Sequence, residues 1–223
     1  ATCVQSIKSF LTLKYPDFEI LVVNDGSKDS TRERIVQAYD MTLSPRAPTA
    51  TISTAIVRGI YQSRRYPNLW LIDKENGGKA DAQNAGVNFC RTPLFCILDA
   101  DSLLEKDALL RIVRPFMIDK TTVAAGGTIR IVNDCTVHAG VVTQIRLPKK
   151  ILARFQVLEY LRAFLSGRVG WHVLHSMLII SGAFGMYKRS AIIDAGGFNT
   201  KTVGEDMEAT VRLHHYFRRH KKR

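Results

Sequence analysis

Cysteines, acidic residues and known catalytic motifs are all scarce in this 223-residue chain. The four cysteines form no Cys-x-x-Cys pair and have no zinc-binding spacing with the six histidines, which excludes a disulfide scaffold and a zinc module. Cys90 and Cys96 lie in apolar runs, so we expect reduced core thiols in a cytosolic compartment. The sequence contains no Gly-x-Ser-x-Gly, His-Glu-x-x-His, Walker or Gly-x-Gly-x-x-Gly motif, so it lacks the usual signature of the enzyme classes that these motifs mark.

No apolar run is long and uninterrupted enough to predict a membrane-spanning helix. Residues 169–187 contain no Asp, Glu, Lys or Arg, and their length approaches the roughly 20 residues that a bilayer requires. The run is nevertheless interrupted by His172, His175, Ser176, Ser181 and three glycines. We therefore expect a buried or interfacial segment there.

The composition is that of a folded protein with an excess of positive charge. Hydrophobic residues make up 46% of the chain and charged residues 23%, which excludes intrinsic disorder. Lys and Arg total 32 against 20 Asp and Glu, giving a formal charge of +12. This excess favours an anionic partner, which could be a nucleotide, a nucleic acid or an acidic membrane surface.

Short apolar runs alternate with helical periodicity, which predicts an α/β fold with a largely parallel sheet and helices on both faces. A loop rich in Pro, Thr, Ser and Ala is predicted at 43–54. Strands are predicted at 20–23, 69–72, 94–98, 122–125 and 128–132. Helices are predicted at 4–11, 31–39, 79–90 and about 102–117, followed by a long amphipathic helix from Ile151.

Three carboxylates follow two of the predicted strands. Asp25 ends one strand, and Asp99 and Asp101 follow another. Because ligands of open α/β sheets bind at the carboxyl ends of the strands, we expect these acids to share one edge. Asp-x-Asp at a strand end suits Mg²⁺ or Mn²⁺, although a solvated turn is the alternative for such a short motif.

Two further segments supply charge at predicted helix starts. Residues 76–81 open a helix directly after a strand, with two glycines and Lys79 suited to an anion, although a capped glycine turn is the alternative. Gly204-Glu205-Asp206 precedes the last helix. Its acids either complement the helix dipole or include a general base for a hydroxyl.

Taken together, four motifs in this order resemble the family 2 glycosyltransferases with a GT-A fold. They are most similar to the processive membrane synthases that make poly-N-acetylglucosamine, chitin, hyaluronan and cellulose. The resemblance covers nearly the whole chain. The motifs are Val-Val-Asn-Asp-Gly-Ser-x-Asp-Ser-Thr at 22–31, Asn-Gly-Gly-Lys-Ala-Asp at 76–81, Asp-Ala-Asp at 99–101 and Gly-Glu-Asp at 204–206.

The resemblance implies how the donor would be held. Asp25 would hydrogen-bond the uracil of a UDP-sugar, Asp81 would help hold the nucleotide, and Lys79 would lie near the diphosphate. Asp99 and Asp101 match the D-x-D motif, in which the second acid ligates the Mg²⁺ or Mn²⁺ that bridges the diphosphate.

The resemblance also implies an acceptor side and an inverting displacement at the anomeric carbon. Asp206 would be the general base that deprotonates the hydroxyl of a glycan acceptor. The acceptor would rest against Glu205 and a glycine-rich segment that comprises Ser181, Gly182, Ala183 and Phe184.

Three departures from the family pattern lead us to expect a partial catalytic domain. The family's first strand and its Gln-x-x-Arg-Trp motif are not found, and Gly204 replaces the usual Thr. We expect one GT-A domain over 1–223, binding nucleotide with about 1–130 and acceptor with about 131–223.

We expect this domain at the cytoplasmic face of a cell membrane, itself soluble or peripheral and joined to the membrane through segments outside this chain. The apolar stripe from Ile151 and the basic C-terminal residues would suit such a position.

Other functions compete with this interpretation. A nonprocessive transferase acting on a lipid or capsule acceptor is the nearest, followed by a nucleotidyltransferase and a noncatalytic nucleotide-binding relative. The charge of +12 would suit a nucleic-acid-binding module. However, no basic helix with interleaved aromatic residues is apparent, so no nucleic acid partner is expected.

Overall fold

The computed structural model describes residues 2–138, 140–167, 170–171 and 177–219. In chain order its elements are α1 (Thr2–Phe10), β1 (Ile20–Asp25), α2 (Thr31–Tyr39), β2 (Met41–Leu43), β3 (Val57–Ser63), β4 (Leu69–Lys74), α3 (Lys79–Phe89), β5 (Leu94–Ile97), α4 (Ala108–Ile112), α5 (Arg114–Ile118), β6 (Ala124–Gly126), β7 (Thr136–His138), β8 (Val141–Gln144), α6 (Ile151–Leu161), a π-helical turn (Arg162–Gly167), β9 (Gly185–Lys188), α7 (Arg189–Asp194) and α8 (Glu205–Arg219).

The strongest sequence signals are confirmed. The three apolar runs form β1, β4 and β5, the periodic segment before β1 forms α1, and the segments predicted as helices between the runs form α2 and α3. The start of α2 is held by the Asp29 carboxylate, which accepts a hydrogen bond from the Thr31 backbone N–H at 3.1 Å. The helix ends at Asp40, whose φ of 47° is left-handed and stops helix propagation.

The sheet departs from the expected parallel arrangement. One sheet has the order β1-β4-β3-β2, another has β5-β9-β6, and β7 pairs with β8. Among the described strands, only β1 and β4 pair in parallel. The short connection between β3 and β4 forces antiparallel pairing, because a parallel pair needs a crossover of about a dozen residues or more. The expected α/β layering is confirmed.

Three local predictions are wrong. Residues 57–63 form β3, which the sequence analysis did not predict, whereas residues 128–132 form no strand. The helix predicted to end near Met117 is broken into α4 and α5 at Val113. Pro115 lies in the first turn of α5, where its missing N–H is tolerated, but it cannot continue a preceding helix.

Helices cover both faces of the strands, as expected. Along β5 and β9, alternate residues enter two different cores. Cys96 and Met186 pack with α1, α2 and α4, whereas Ile97 and Tyr187 pack with α3, α7 and α8. The strand ends are therefore fixed from both sides, which gives the acids at those ends a rigid support.

A cavity of about 660 Å³ separates β1 from β5. Both strands are at the edge of their sheets, and residues 20–23 of β1 and all of β5 line the cavity together with α1 and α3. Lys79 and Asp99 lie at one end of it. The cavity therefore opens onto the same edge of the molecule as the predicted donor site.

Within the described ranges, no helix combines the length and the apolar character needed to cross a bilayer. The segment 169–187 is described only in part, because residues 169 and 172–176 lie outside the described residues. The last four residues of the basic C-terminus also lie outside them.

Candidate active site

The N-terminus of α3 brings the ends of β1 and β5 together. The Asp25 carboxylate at the end of β1 accepts hydrogen bonds from the backbone N–H groups of Gly77 at 3.0 Å and Gly78 at 2.8 Å. At the next residue, the Lys79 Nζ lies 3.0 Å from the Asp99 carboxylate, which follows β5. Asp25 and Asp99 therefore lie at one edge of the structure, as predicted.

Asp25 is fully engaged within the protein. Besides the two glycine N–H groups, its carboxylate accepts bonds from the Lys74 Nζ at 2.5 Å and from the Asn76 side-chain amide at 3.3 Å. A carboxylate has about four acceptor positions, so a ligand N–H must displace one of these donors. The longest bond, from Asn76, is the easiest to replace.

A buried lysine joins the two acids that the sequence assigns to the nucleotide. The Lys74 side chain is fully buried, and its Nζ lies 2.5 Å from both Asp25 and Asp81. Its third hydrogen bond goes to the Glu75 carbonyl at 2.6 Å. Burial lowers the pKa of Lys74, but the bonds and charges of the two acids outweigh it, and the pKa is raised. Lys74 therefore stays charged and fixes the separation of the acids.

Asp81 is itself buried and is held from a second side. Its carboxylate accepts a hydrogen bond from the Ala55 backbone N–H at 3.0 Å. Ala55 belongs to the irregular chain before β3, so this bond ties that chain to the first turn of α3. Asp81 thus anchors the wall of the site in addition to its predicted role toward the nucleotide.

Lys79 connects the donor side to the acceptor side. Its Nζ lies 3.0 Å from the Asp99 carboxylate and 3.0 Å from that of Glu205 at the start of α8. Desolvation lowers the pKa of Lys79, but the bonds to Glu205 and Asp99 raise it well above its ordinary value. A permanent cation thus stands between the two halves of the site.

Asp206 lies beside this cation in a half-buried position. One carboxylate oxygen accepts a hydrogen bond from the Gly182 N–H at 2.6 Å, and the other is buried without a hydrogen-bond partner among the described residues. Desolvation raises the pKa of Asp206, the bond from Gly182 and the charge of Lys79 oppose it, and the net shift is upward. An unpaired, buried carboxylate oxygen with a raised pKa is suited to accept a proton.

Residues 177–182, which overlap the predicted acceptor segment, are tied to one face of α8 by three bonds. The Gly182 N–H binds Asp206, the Ile180 N–H binds the Thr210 hydroxyl at 3.3 Å, and the His214 Nε2 lies 2.9 Å from the Met177 carbonyl. The three helix positions are four residues apart and therefore share one face. These three bonds fix the peptide beside Asp206.

Glycine is required at the point of closest approach. A Cβ on Gly182 would lie 2.7 Å from both carboxylate oxygens of Asp206. Ser181 is half-buried, Gly182 is buried, and the Ala183 carbonyl accepts a weak bond from the Ser102 hydroxyl at 3.4 Å. Phe184 is buried in the core, so it supports the segment from behind.

Asp99 and Asp101 offer hard oxygen ligands at the open edge. Asp101 is exposed and forms no ion pair or hydrogen bond with the residues that the structure describes, whereas one oxygen of Asp99 is paired with Lys79. Among these residues no three His, Cys, Asp or Glu side chains converge on a metal site. The donor set fits a Mg²⁺ or Mn²⁺ ion that takes its remaining ligands from phosphate and water.

The sequence analysis missed the residues that hold this site together. Lys74 is the last residue of β4, and a charged residue at the end of an apolar strand is its only signal. Thr210, His214 and Ser102 had no signal, because their contacts come from segments distant in sequence.

Sequence comparison matches the chain to the family model described as glycosyl transferase family 2, over residues 1–47 and 51–195. Curated relatives include the poly-beta-1,6-N-acetyl-D-glucosamine synthases of Staphylococcus aureus strain COL and of Staphylococcus epidermidis. Each is 27% identical over 214 residues, which cover 96% of this chain and 42% of the relative. The chain thus spans about two fifths of the length of these relatives.

Two solved structures share the fold. The mannosyltransferase PcManGT from Pyrobaculum calidifontis, in complex with GDP-Man and Mn²⁺, matches with a TM-score of 0.58 at 19% identity, over 95% of this chain and 48% of its own. Residues 1–349 of TarS from S. aureus match with a TM-score of 0.51 at 15% identity, over 95% and 51%. The chain has a GT-A fold and belongs to glycosyl transferase family 2, a family of glycosyltransferase enzymes.

Proposed function

We propose that this chain is the catalytic part of an inverting glycosyltransferase that moves N-acetylglucosamine from UDP to the hydroxyl of a growing glycan. The observation that carries the proposal is the position of Asp206, whose unpartnered oxygen is buried beside the Lys79 cation. A base and a cation at one edge are what a glycosyl transfer requires, because a proton leaves the acceptor while negative charge develops on the diphosphate.

In the proposed reaction, the Asp206 carboxylate takes the proton of the acceptor hydroxyl. The acceptor oxygen forms a bond to the anomeric carbon as the bond from that carbon to the diphosphate oxygen breaks, so the configuration inverts and UDP leaves. The Gly182 N–H orients the base by holding its other oxygen. Lys79 keeps its positive charge at neutral pH. When the donor binds, Lys79 can therefore leave its ion pair with Asp99 or Glu205 and pair with the diphosphate instead.

The donor would lie along the edge formed by β1, β5 and α3. Asp25 and Asp81 would face the nucleoside, and Asp99 and Asp101 would hold Mg²⁺ or Mn²⁺. The ion would supply positive charge to the departing diphosphate. Acceptor sugars would rest against Glu205 and the segment 181–183, which the bonds to α8 hold in place.

The choice of sugar rests on the relatives, whose names specify a poly-beta-1,6-N-acetyl-D-glucosamine product. The GDP-Man complex concerns a more distant protein and supplies the competing donor. The expected position at the cytoplasmic face of a cell membrane belongs to the same proposal.

The test is UDP release and acceptor elongation by the purified chain, with UDP-N-acetylglucosamine, Mn²⁺ and a β-1,6-linked N-acetylglucosamine oligosaccharide. We expect turnover that EDTA abolishes and that GDP-mannose does not support. Acceptors extended by one sugar would indicate the nonprocessive alternative, and ladders of products would indicate polymerisation.

The matched variants are Asp206→Asn and Asp194→Asn. Asp206→Asn should lower turnover by about 10²-fold or more while leaving UDP affinity unchanged, since it removes the base but not the donor site. Asp194 is the exposed last residue of α7, and its substitution should leave turnover unchanged. Normal turnover of Asp206→Asn would contradict the assignment of the base.

A further inference from the structure

One large apolar surface in the described part of the chain is covered by none of the other described residues. It consists of α6 and the preceding residues 145–150, and we call it the α6 surface. Ile151, Leu152, Phe155 and Leu158 are 72%, 79%, 60% and 62% exposed. No residue of α6 is buried. Contiguous apolar side chains of this size on a surface mark an interaction site.

One side of α6 packs against the rest of the domain, so the opposite side of the helix faces away from it. Val157 and Tyr160 are partly buried and line a cavity of about 270 Å³ with residues 128–131 and 145–148. At 100° per residue, Ile151, Phe155 and Leu158 lie on the opposite side of the helix. Ile145 and Leu147, which are 80% and 75% exposed, extend the apolar surface beyond the start of the helix.

Positive charge surrounds these apolar residues. Residues 140–167 contain five basic residues and a single acid, Glu159, which is paired with Arg162. Lys149 and Lys150 are exposed at the start of α6, and neither forms an ion pair with the described residues. Exposed apolar residues flanked by unpaired lysines complement an anionic lipid surface, which offers headgroup phosphates above an apolar layer.

The dimensions of α6 suit binding along a membrane surface. An 11-residue helix is about 16 Å long, well short of the roughly 30 Å hydrocarbon layer. Lying flat, it can insert Phe155 and Leu158 while Lys149 and Lys150 stay at headgroup level. We propose that the α6 surface binds anionic lipid directly, so that this domain has a membrane contact of its own. The inference gives a specific surface to the membrane position that the proposed function includes.

The test is flotation of the 223-residue chain with vesicles of phosphatidylcholine alone, and with vesicles containing three parts of phosphatidylcholine to one part of phosphatidylglycerol. We expect binding to the anionic vesicles. The double variant Phe155→Glu/Leu158→Glu should weaken it by about 10²-fold, because each inserted side chain contributes about tenfold or more. The control Met117→Glu/Ile118→Glu changes two apolar residues on α5 that are even more exposed, at 76% and 85%, and should bind like the wild type.

A second variant tests the charge without touching the apolar residues. Lys149→Glu/Lys150→Glu should weaken binding to the anionic vesicles by about 10-fold or more, since each basic residue near such a surface contributes about fivefold. Both lysines are exposed, so folding is not at risk, and thermal melting of all variants checks this.

Three results would overturn the inference. The first is that the folded wild type does not bind anionic vesicles. The second is that the α6 variants bind these vesicles as well as the wild type does. The third is a dimer that forms without lipid and that Phe155→Glu/Leu158→Glu disrupts, because the α6 surface would then be an interface between copies. UDP titration of the same samples separates this inference from the proposed function, because the α6 variants should keep nucleotide binding whatever happens with lipid.

Discussion

Replacing Lys74 by Met should destabilise the fold and the donor site together. The Lys74 side chain is 0% exposed, and its partners Asp25 and Asp81 have side chains that are 19% and 10% exposed. Removing one member of a buried ion pair leaves uncompensated charge and typically costs about 3–5 kcal/mol. Here two carboxylates lose the same cation, so we expect a loss toward the upper end of that range.

The loss should be visible in thermal melting. For a chain of this size, 1 kcal/mol shifts the melting temperature by about 2–4 °C, so Lys74→Met should melt about 10–20 °C below the wild type. Lys201→Met is the matched control, because Lys201 is exposed, and its melting temperature should not change. Calorimetric titration of UDP should also show at least tenfold weaker binding to Lys74→Met, since Asp25 and Asp81 repel each other without the lysine.

A double variant separates the charge from the packing of the side chain. In Lys74→Met/Asp81→Asn one of the two uncompensated charges is gone, so the double variant should melt above Lys74→Met alone. A Lys74→Met protein that melts within 2 °C of the wild type, or a double variant that melts no higher than the single one, would refute the reasoning.

Four further predictions concern the acceptor side and the metal. Gly182→Ala should lower turnover in the UDP-release assay by at least tenfold, because the new Cβ meets the Asp206 carboxylate. The control Gly86→Ala should leave turnover unchanged, because its Cβ would lie at an ordinary contact distance of 3.8 Å from the nearest side chain. Because the pKa of Asp206 is raised, turnover should fall at acid pH, where the Asp206 carboxylate is protonated. The midpoint of this fall should lie above the ordinary value of 3.8, and the pH profile of Asp206→Asn should lack it. By the same shift the buried charge of Asp206 costs stability at neutral pH, so Asp206→Asn should melt at or above the wild-type temperature. Asp101→Asn should abolish the Mn²⁺ dependence of UDP binding in calorimetric titrations and leave the melting temperature unchanged, since Asp101 is exposed.

The edge that gathers the site could be predicted from the sequence because its signals are local. Apolar runs of four or five residues define both strands, and Asp25 and Asp99 follow within two residues of the ends of those runs. The glycines at 77 and 78 mark the helix start that joins them. These features depend on neighbouring residues, and the structure brings them together as expected.

The parts that the sequence could not provide depend on pairings between distant segments. β9 lies antiparallel between β5 and β6, although it follows them by about 60 residues or more, and no local pattern specifies that insertion. Lys74 and Thr210 look like ordinary strand-end and helix residues until their partners are placed. The apolar face of α6 has the periodicity of a core helix, and only the structure shows that it is exposed.

The central claim is that β1, β5, α3 and α8 form a metal-dependent site for a nucleotide-sugar, and calorimetric titration of UDP into the chain tests it most directly. Titrations with Mn²⁺ and with EDTA should give saturable binding only with the metal, and binding should survive in Asp206→Asn but weaken at least tenfold in Lys79→Ala. A folded chain that binds no UDP in either condition, or binds it equally with EDTA and in Lys79→Ala, would contradict the account.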